Sequence, residues 1–135
     1  MSYSIDEIEG IGPTYAAKLG EIGIKTTEAY LERAKDPKGR KALEEETGID
    51  GKRILKWANM ADLMRISGVG EEYSELLEAA GVDTVKELKH RNAANLAAKM
   101  KEVNDEKSLV RQVPSETQVT KWVDQAKDLA PMMTY

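Results

Sequence analysis

The sequence predicts an all-α fold, a compact bundle of about eight to ten short helices. Apolar residues recur at the spacing of three and four positions that is typical of a helix buried on one side. Capping residues and prolines precede these stretches, and glycines follow them. No stretch alternates apolar and polar residues over more than a few positions, so a sheet is not expected. The length of 135 residues is typical of one domain with its own core.

The first predicted helix begins at Pro13, because proline suits the first helical position after Gly12. It ends before Gly23, since glycine is typical of the position just beyond a helix C-terminus. Its inner face is formed by Tyr15, Ala16, Leu19 and Ile22.

Further helices are predicted before residue 65. Thr26 is the expected N-cap of one of them, and Pro37 begins another that Gly48 ends. A longer helix runs from about Asp50 to Arg65 and leads into a second glycine turn. Its apolar side consists of Ile54, Trp57, Ala58, Ala61 and Met64.

Two capping boxes are predicted in the second half of the chain. In this motif a Ser or Thr side chain accepts from the backbone N–H three residues on, and a Glu or Gln side chain reaches back to the cap. Thr84 and Glu87 have this spacing, as do Ser115 and Gln118 ahead of the helix that contains Trp122. Each pair therefore predicts the start of a helix.

An internal repeat runs through most of the chain. The sequence Ile-Glu-Gly-Ile-Gly at 8–12 aligns without gaps with Ile-Ser-Gly-Val-Gly at 66–70, an offset of 58 positions. The segments 53–57 and 118–122, each ending in Lys-Trp, align at an offset of 65. The difference implies a seven-residue insertion in the second copy, near residues 104–114.

The repeat predicts a single domain of two pseudo-repeats, about 1–62 and 63–129, followed by a short tail, 130–135. Trp57 and Trp122 occupy matching places on apolar helix faces, so both are expected in the core. The matching Tyr15 and Tyr73 are expected to pack on inner helix faces. The tail either docks on the core or protrudes, and the sequence leaves both open.

The pattern aliphatic-x-Gly-aliphatic-Gly followed by a helix resembles a helix-hairpin-helix motif, and both copies match it. Their spacing resembles the tandem arrangement in which two such motifs form one pseudo-symmetric unit. Nearly the whole chain is similar to an uncharacterised family of small bacterial tandem helix-hairpin-helix proteins that bears a domain-of-unknown-function label. The resemblance implies a duplicated helix-hairpin-helix unit and assigns no reaction.

Motifs of this kind often bind DNA phosphates. Two glycines let the backbone turn tightly, and free N–H groups at the following helix N-terminus supply donors and a positive dipole end. Such contacts position a protein on nucleic acid without reading its sequence. Carried over by resemblance, the first hairpin would bind phosphate through Gly10, Ile11, Gly12, Thr14 and Lys18.

The second hairpin, at Gly68, Val69 and Gly70, is expected to be structural. The family pattern usually adds Lys or Arg soon after the second glycine. Here Glu71, Glu72 and Glu75 follow it instead, and their charges would repel a phosphate from the helix N-terminus.

Charge follows the repeat. The whole chain has a formal net charge of -4, which offers nucleic acid no general attraction. Residues 1–32 and 57–85 are net -4 and -5, whereas residues 33–56 and 86–112 are each net +3. Side chains in the first basic segment are therefore the preferred candidates for contacts with nucleic acid, namely Lys38, Arg40, Lys41, Lys52, Arg53 and Lys56.

Several functional classes find no support. The chain has no Cys and one His, His90, so disulfides, thiolate sites and imidazole metal clusters are not expected. No catalytic triad order, phosphate loop or dinucleotide fingerprint occurs, so neither an enzyme, nor a cofactor, nor a small-molecule substrate is predicted. No secretory leader or long apolar span is visible, and a cytoplasmic protein that does not contact membranes is expected.

Two functions therefore stand side by side. The first is weak, non-sequence-specific nucleic-acid binding through the first hairpin and the basic helices, which should depend strongly on salt. The second is a protein-interaction or self-assembly scaffold in which the hairpins are purely structural. An acidic hairpin arm of one molecule would then face a basic helix of another, a heterologous contact that forms chains or rings.

Overall fold

The computed structural model describes residues 3–135, so Met1 and Ser2 of the expected leaderless N-terminus lie outside it. Within this range the chain is helical and has no strand; one isolated antiparallel bridge joins Ser4 to Thr26. A 3-10 turn covers Ile5–Glu7. The α-helices are α1 (Pro13–Glu21), α2 (Thr27–Ala34), α3 (Pro37–Thr47), α4 (Gly51–Leu63), α5 (Glu71–Ala79), α6 (Val85–Leu88), α7 (Ala93–Lys107) and α8 (Glu116–Asp128). The predicted all-α class is confirmed.

The predicted helix starts and stops in the first half are confirmed. Pro13 and Pro37 are the first residues of α1 and α3. The Thr26 side chain accepts a hydrogen bond from the Ala29 N–H and caps α2. Gly48 follows α3 with a φ of 73°, a left-handed conformation that glycine adopts without strain.

The second half contains one confirmed capping box and one correction. Ser115 and Gln118 form the reciprocal pair at the start of α8. Thr84 does accept from the Glu87 N–H, but the Glu87 carboxylate accepts from the N–H of Asp83 and not from the cap residue. The side chain therefore reaches one residue further back than the motif requires.

The extra length of the second copy is divided between a helix and a loop. Helix α7 has 15 residues where α3 has 11, and residues 108–115 connect α7 to α8. The Asn104 side chain shapes this loop, because its amide donates to the Val110 carbonyl and its oxygen accepts from the Val110 N–H. Both bonds lie in the predicted region of the insertion.

Two hydrophobic clusters fill the interior. One combines α1–α4 with the 3-10 turn, and the other combines α5–α8 with the end of α4. Trp57 is 2% exposed in the first cluster and Trp122 is 3% exposed in the second, as expected for core residues. The consecutive residues Leu63 and Met64 belong to different clusters, so the end of α4 serves both.

A buried carboxylate also joins the two halves. Asp62, at the end of α4, is 1% exposed and accepts the N–H of Val85 at the start of α6 at 2.8 Å. Its other oxygen accepts from Arg65 Nη1 at 2.8 Å, and the Arg65 side chain is 17% exposed. Removal of one partner from such a buried ion pair is strongly destabilising, because the remaining charge stays buried without compensation.

The tail docks on the first cluster. Met133 is 7% exposed and belongs to that cluster, although the preceding α8 belongs to the second. The Thr134 N–H donates to the Lys35 carbonyl at 2.8 Å, and Arg40 Nη2 donates to the Thr134 carbonyl at 2.7 Å. The tail therefore crosses from one cluster to the other.

We predict that Asp62→Ala lowers the free energy of unfolding by about 3 kcal/mol, because Arg65 and the Val85 N–H both lose their partner. Urea unfolding followed by circular dichroism measures the change. Asp124→Ala is the matched control, since Asp124 pairs with Lys127 at the same spacing but on the surface. It should change stability by less than about 0.5 kcal/mol. Equal losses in the two variants would contradict a role for burial.

Candidate nucleic-acid interface

The first glycine turn, residues 8–12, is closed by its own backbone. The Ile11 N–H donates to the Ile8 carbonyl at 3.0 Å, and Gly10 has a φ of 95°. The Ile11 side chain is 4% exposed and packs in the first cluster. Ile11 thus holds the turn together, and its amide is already bonded within it.

The second turn, residues 66–70, repeats this geometry. The Val69 N–H donates to the Ile66 carbonyl at 3.1 Å, and Gly68 has a φ of 92°. Gly12 and Gly70 are the N-caps of the helices that follow, and neither helix has a side-chain cap. The two turns therefore have the same backbone conformation but carry different side chains.

One tryptophan edge closes each turn. Trp57 Nε1 would lie 3.2 Å from a Cβ built on Gly10, and Trp122 Nε1 would lie 3.3 Å from one on Gly68. A tyrosine of the following helix packs on each indole, with 5.2 Å between ring centroids in both repeats. Glycine is required at these two positions by both the conformation and the close approach.

The first turn leaves amides free at the start of α1. Among residues 3–135 no acceptor faces the N–H groups of Gly12, Thr14 and Tyr15, and Gly10, Gly12, Thr14 and Lys18 are exposed. Pro13 has no N–H to offer. Three donors at a helix N-terminus are suited to an anion.

A cation from α4 lies beside this helix start. The Arg53 guanidinium lies 5.8 Å from the centroid of the Tyr15 ring, a cation–π distance. Arg53 is half-exposed and also pairs with Asp50 at 3.2 Å. The corresponding residue of the second repeat is Gln118, which is uncharged.

The other predicted basic contacts are distributed over several surfaces. Lys38, Lys41 and Lys52 are exposed. Arg40 donates to the carbonyls of Ala34 and Thr134, so its guanidinium is engaged by α2 and by the tail. The structure thus brings Arg53 close to the start of α1, whereas Arg40 is bound to the tail.

Carboxylates from both repeats meet at the first turn. A hydrogen bond with Glu9 raises the pKa of Glu71 from 4.5 to about 7, and partial burial and the charges of Glu9, Glu72 and Glu7 add to the rise. The acidic start of α5 therefore faces the first turn as well as its own.

The acidic side extends along α5. Burial raises the pKa of Glu75 and the charge of Glu9 raises it further, while Lys56 opposes the rise. Burial also raises the pKa of Glu78, again opposed by Lys56. Lys56 therefore lies near carboxylates of α5.

The pairing of Glu9 with Glu71 had no signal in the sequence. The two residues are 62 positions apart, and two carboxylates are not expected to lie in contact because their charges repel. Only the packing of the second repeat against the first brings them together.

Two features are absent from the described residues, 3–135. No group of His, Cys, Asp and Glu in this part of the chain has the arrangement of a metal site. None of its helices is long and apolar enough to cross a membrane.

Comparison with known proteins places the chain in a family. Residues 9–129 match the model of the domain of unknown function DUF4332, and the chain belongs to that family. The expected membership of an uncharacterised domain family is thereby confirmed. No curated protein and no solved structure matches the chain.

We predict that Gly10→Ala destabilises the protein by about 1–3 kcal/mol, because the new Cβ meets Trp57 and the left-handed conformation is strained. Thermal unfolding measures the loss. Gly20→Ala is the control, since Gly20 lies within α1 with nothing near its Cβ position, and it should stabilise by about 0.5–1 kcal/mol. A Gly10→Ala variant with unchanged stability would contradict the prediction, because the turn would then accommodate a Cβ at no cost.

We predict that part of the stability is lost as the pH rises from about 4.5 to 7. The folded state raises the pKa of Glu71, so its contribution is complete below the unfolded pKa and is lost as the pH passes the folded value. Glu71→Gln should therefore melt at a higher temperature than the unsubstituted chain at pH 8, with a smaller difference at pH 4.5.

Glu116→Gln is the matched control for this experiment. Glu71 and Glu116 are both the first residue of their helix, so each variant loses the same favourable interaction with the helix dipole. Only Glu71 has the Glu9 contact. A melting temperature of Glu71→Gln at pH 8 no higher than that of Glu116→Gln would rule out repulsion at this contact.

Proposed function

We propose that this protein is a non-enzymatic module that binds nucleic-acid backbones weakly and without sequence preference through its first hairpin. The glycine turn at residues 8–12 and helix α1 would act as a helix-hairpin-helix motif, with the second turn retained as its structural counterpart. Phosphate would be held by the free N–H groups of Gly12, Thr14 and Tyr15, and by Arg53 and Lys52 of α4.

The observation that favours this function is the position of Arg53 over Tyr15 at the start of α1. Free amides and a guanidinium are then both available at the start of α1, and both are suitable donors to phosphate oxygens. Exposed Lys18, Lys38 and Lys41 add positive charge to the first repeat.

The acidic residues limit how strong this binding can be. Glu9 and Glu71 lie beside the turn, and the pair retains negative charge even when it shares a proton. We therefore expect dissociation constants at the weak end of non-specific binding, about 10⁻⁴ M at physiological salt.

A second candidate function, self-association, is favoured by the same carboxylates. Those of both repeats converge around the first turn, namely Glu7, Glu9, Glu71, Glu72 and Glu75. A basic face of another copy could cover this cluster, as the alternation of charge along the sequence also suggests. Light scattering over a salt series tests it, because such an assembly must dissociate as ionic strength rises.

We predict that Arg53→Gln weakens binding to duplex DNA at about 50 mM salt and lowers the slope of log affinity against log salt by about 1. The variant gives the first repeat the residue that the second has, Gln118. Fluorescence anisotropy with labelled duplexes of two unrelated sequences measures both quantities, and the loss should be the same for both duplexes.

Lys121→Gln is the matched control, because it removes one exposed positive charge from the second repeat, at the position that aligns with Lys56. It should leave affinity nearly unchanged. Absence of binding at about 50 mM salt, or equal losses in the two variants, would contradict phosphate binding by the first hairpin.

A further inference from the structure

A cavity of about 280 Å³ lies between α2, the end of α4 and the residues that follow α8, and it is partly open to solvent. Its apolar wall consists of Leu31, Ala61, Leu129 and Met132. Leu31 and Ala61 are buried in the first cluster, whereas Leu129 and Met132 are partly exposed. Small-molecule sites typically have volumes of about 300–1,000 Å³, so this cavity suits a ligand at the small end of that range.

The docked tail supplies one wall of the cavity and holds it in place. Arg65 Nη2 donates to the Ala130 carbonyl at 2.8 Å, and the Thr134 N–H donates to the Lys35 carbonyl at 2.8 Å. These two bonds lie on either side of Met132 in the chain, so its backbone is fixed over the cavity. The Met132 side chain itself is flexible and adapts to the shape of a neighbour. The site is therefore formed in the folded chain, and no segment has to move to open it.

The charges that line the cavity do not balance. Its three ionisable side chains are Glu28, Glu32 and Arg65. Arg65 pairs with Asp62 at 2.8 Å, and Glu32 pairs with Lys35 at 2.8 Å. Glu28 is exposed, and within residues 3–135 its carboxylate has neither an ion pair nor a hydrogen bond. One uncompensated negative charge therefore remains beside an apolar wall, and a positively charged ligand would balance it.

Helix α2 places this charge next to the apolar wall. Glu28 and Leu31 are three positions apart in α2, and residues at this spacing are neighbours on one side of a helix. Leu31 is buried at the cavity wall and Glu28 is exposed at its edge. A ligand that packs on Leu31 would therefore have one end beside the Glu28 carboxylate and the other inside the cavity.

We propose that this cavity binds a small organic cation with an apolar body, of the class of the primary alkyl amines. The ammonium group pairs with Glu28 at the edge, and the alkyl chain contacts Leu31, Ala61 and Met132. None of the residues that line the cavity belongs to the first turn or to the proposed phosphate contacts. The proposal is therefore independent of nucleic-acid binding.

Titration of the full chain with hexylamine, followed by proton–nitrogen correlation NMR, tests the proposal. At about pH 7 the amine is fully protonated. We expect saturable shifts of the backbone amides of Leu31, Ala61 and Met132, with a dissociation constant of about 1 mM for a ligand of this size. Hexanol has the same apolar body without the charge and should bind about fivefold more weakly, since an exposed ion pair contributes up to about 1 kcal/mol. Hexanoate, which has the opposite charge, should bind more weakly still.

Two variants separate the charge from the cavity. Glu28→Gln should weaken the binding of hexylamine about fivefold and leave that of hexanol unchanged. Glu45→Gln is the matched control, because Glu45 is an exposed carboxylate of α3 that does not line the cavity, and it should change neither affinity. Ala61→Leu retains every charge and fills part of the cavity, so it should weaken the binding of both probes. Circular dichroism verifies that each variant is folded.

Several outcomes would overturn the proposal. One is the absence of saturable shifts at these amides with about 10 mM hexylamine, about ten times the expected dissociation constant. Another is equal affinity for hexylamine and hexanoate, because the charge of Glu28 would then have no role. Equal losses in Glu28→Gln and Glu45→Gln would also contradict it, and this comparison remains decisive if Ala61→Leu does not fold.

Discussion

The contact between one tryptophan edge and one glycine in each repeat constrains the rest of the structure. The indole of Trp57 approaches the Gly10 backbone so closely that a Cβ there would be in tight contact with Nε1 at 3.2 Å, and Trp122 approaches Gly68 in the same way at 3.3 Å. Each tryptophan is also buried against a tyrosine of the following helix. Burial of such a large apolar group stabilises the fold by several kcal/mol, on the order of 3. The tryptophan therefore fixes the position of its own helix relative to the turn and to the helix that follows the turn.

The two repeats keep this frame and differ in charge. After its second glycine the first turn continues with Pro13 and Thr14, and the second continues with Glu71 and Glu72. Because Glu71 also reaches Glu9, the carboxylates of the second repeat alter the electrostatic surroundings of the first. The electrostatic surroundings of one turn consequently depend on residues that belong to the other. The two turns thus carry different surface charges on the same backbone conformation.

Local features could be predicted from the sequence, and features that depend on packing could not. Prolines, caps and glycines act within a few residues, so helix starts such as Pro37 and Ser115 were confirmed. The Thr84 capping box was wrong by one residue, because the free Asp83 N–H competes for the Glu87 carboxylate. In the candidate site, the free amides follow from the turn pattern. The capture of Arg40 by the tail depends on a contact with Thr134, 94 positions away, which no local pattern reveals.

Leu63 and Met64 belong to different hydrophobic clusters, so the length of α4 determines how the residues after it are oriented relative to the first cluster. Successive residues of a helix point about 100° apart, so two neighbours can face two different interiors. Adding or deleting one residue here would turn everything after α4 by that angle and direct the wrong side chain into each interior. An insertion in this turn should therefore destabilise the fold more than an insertion in the loop of residues 108–115 that follows α7.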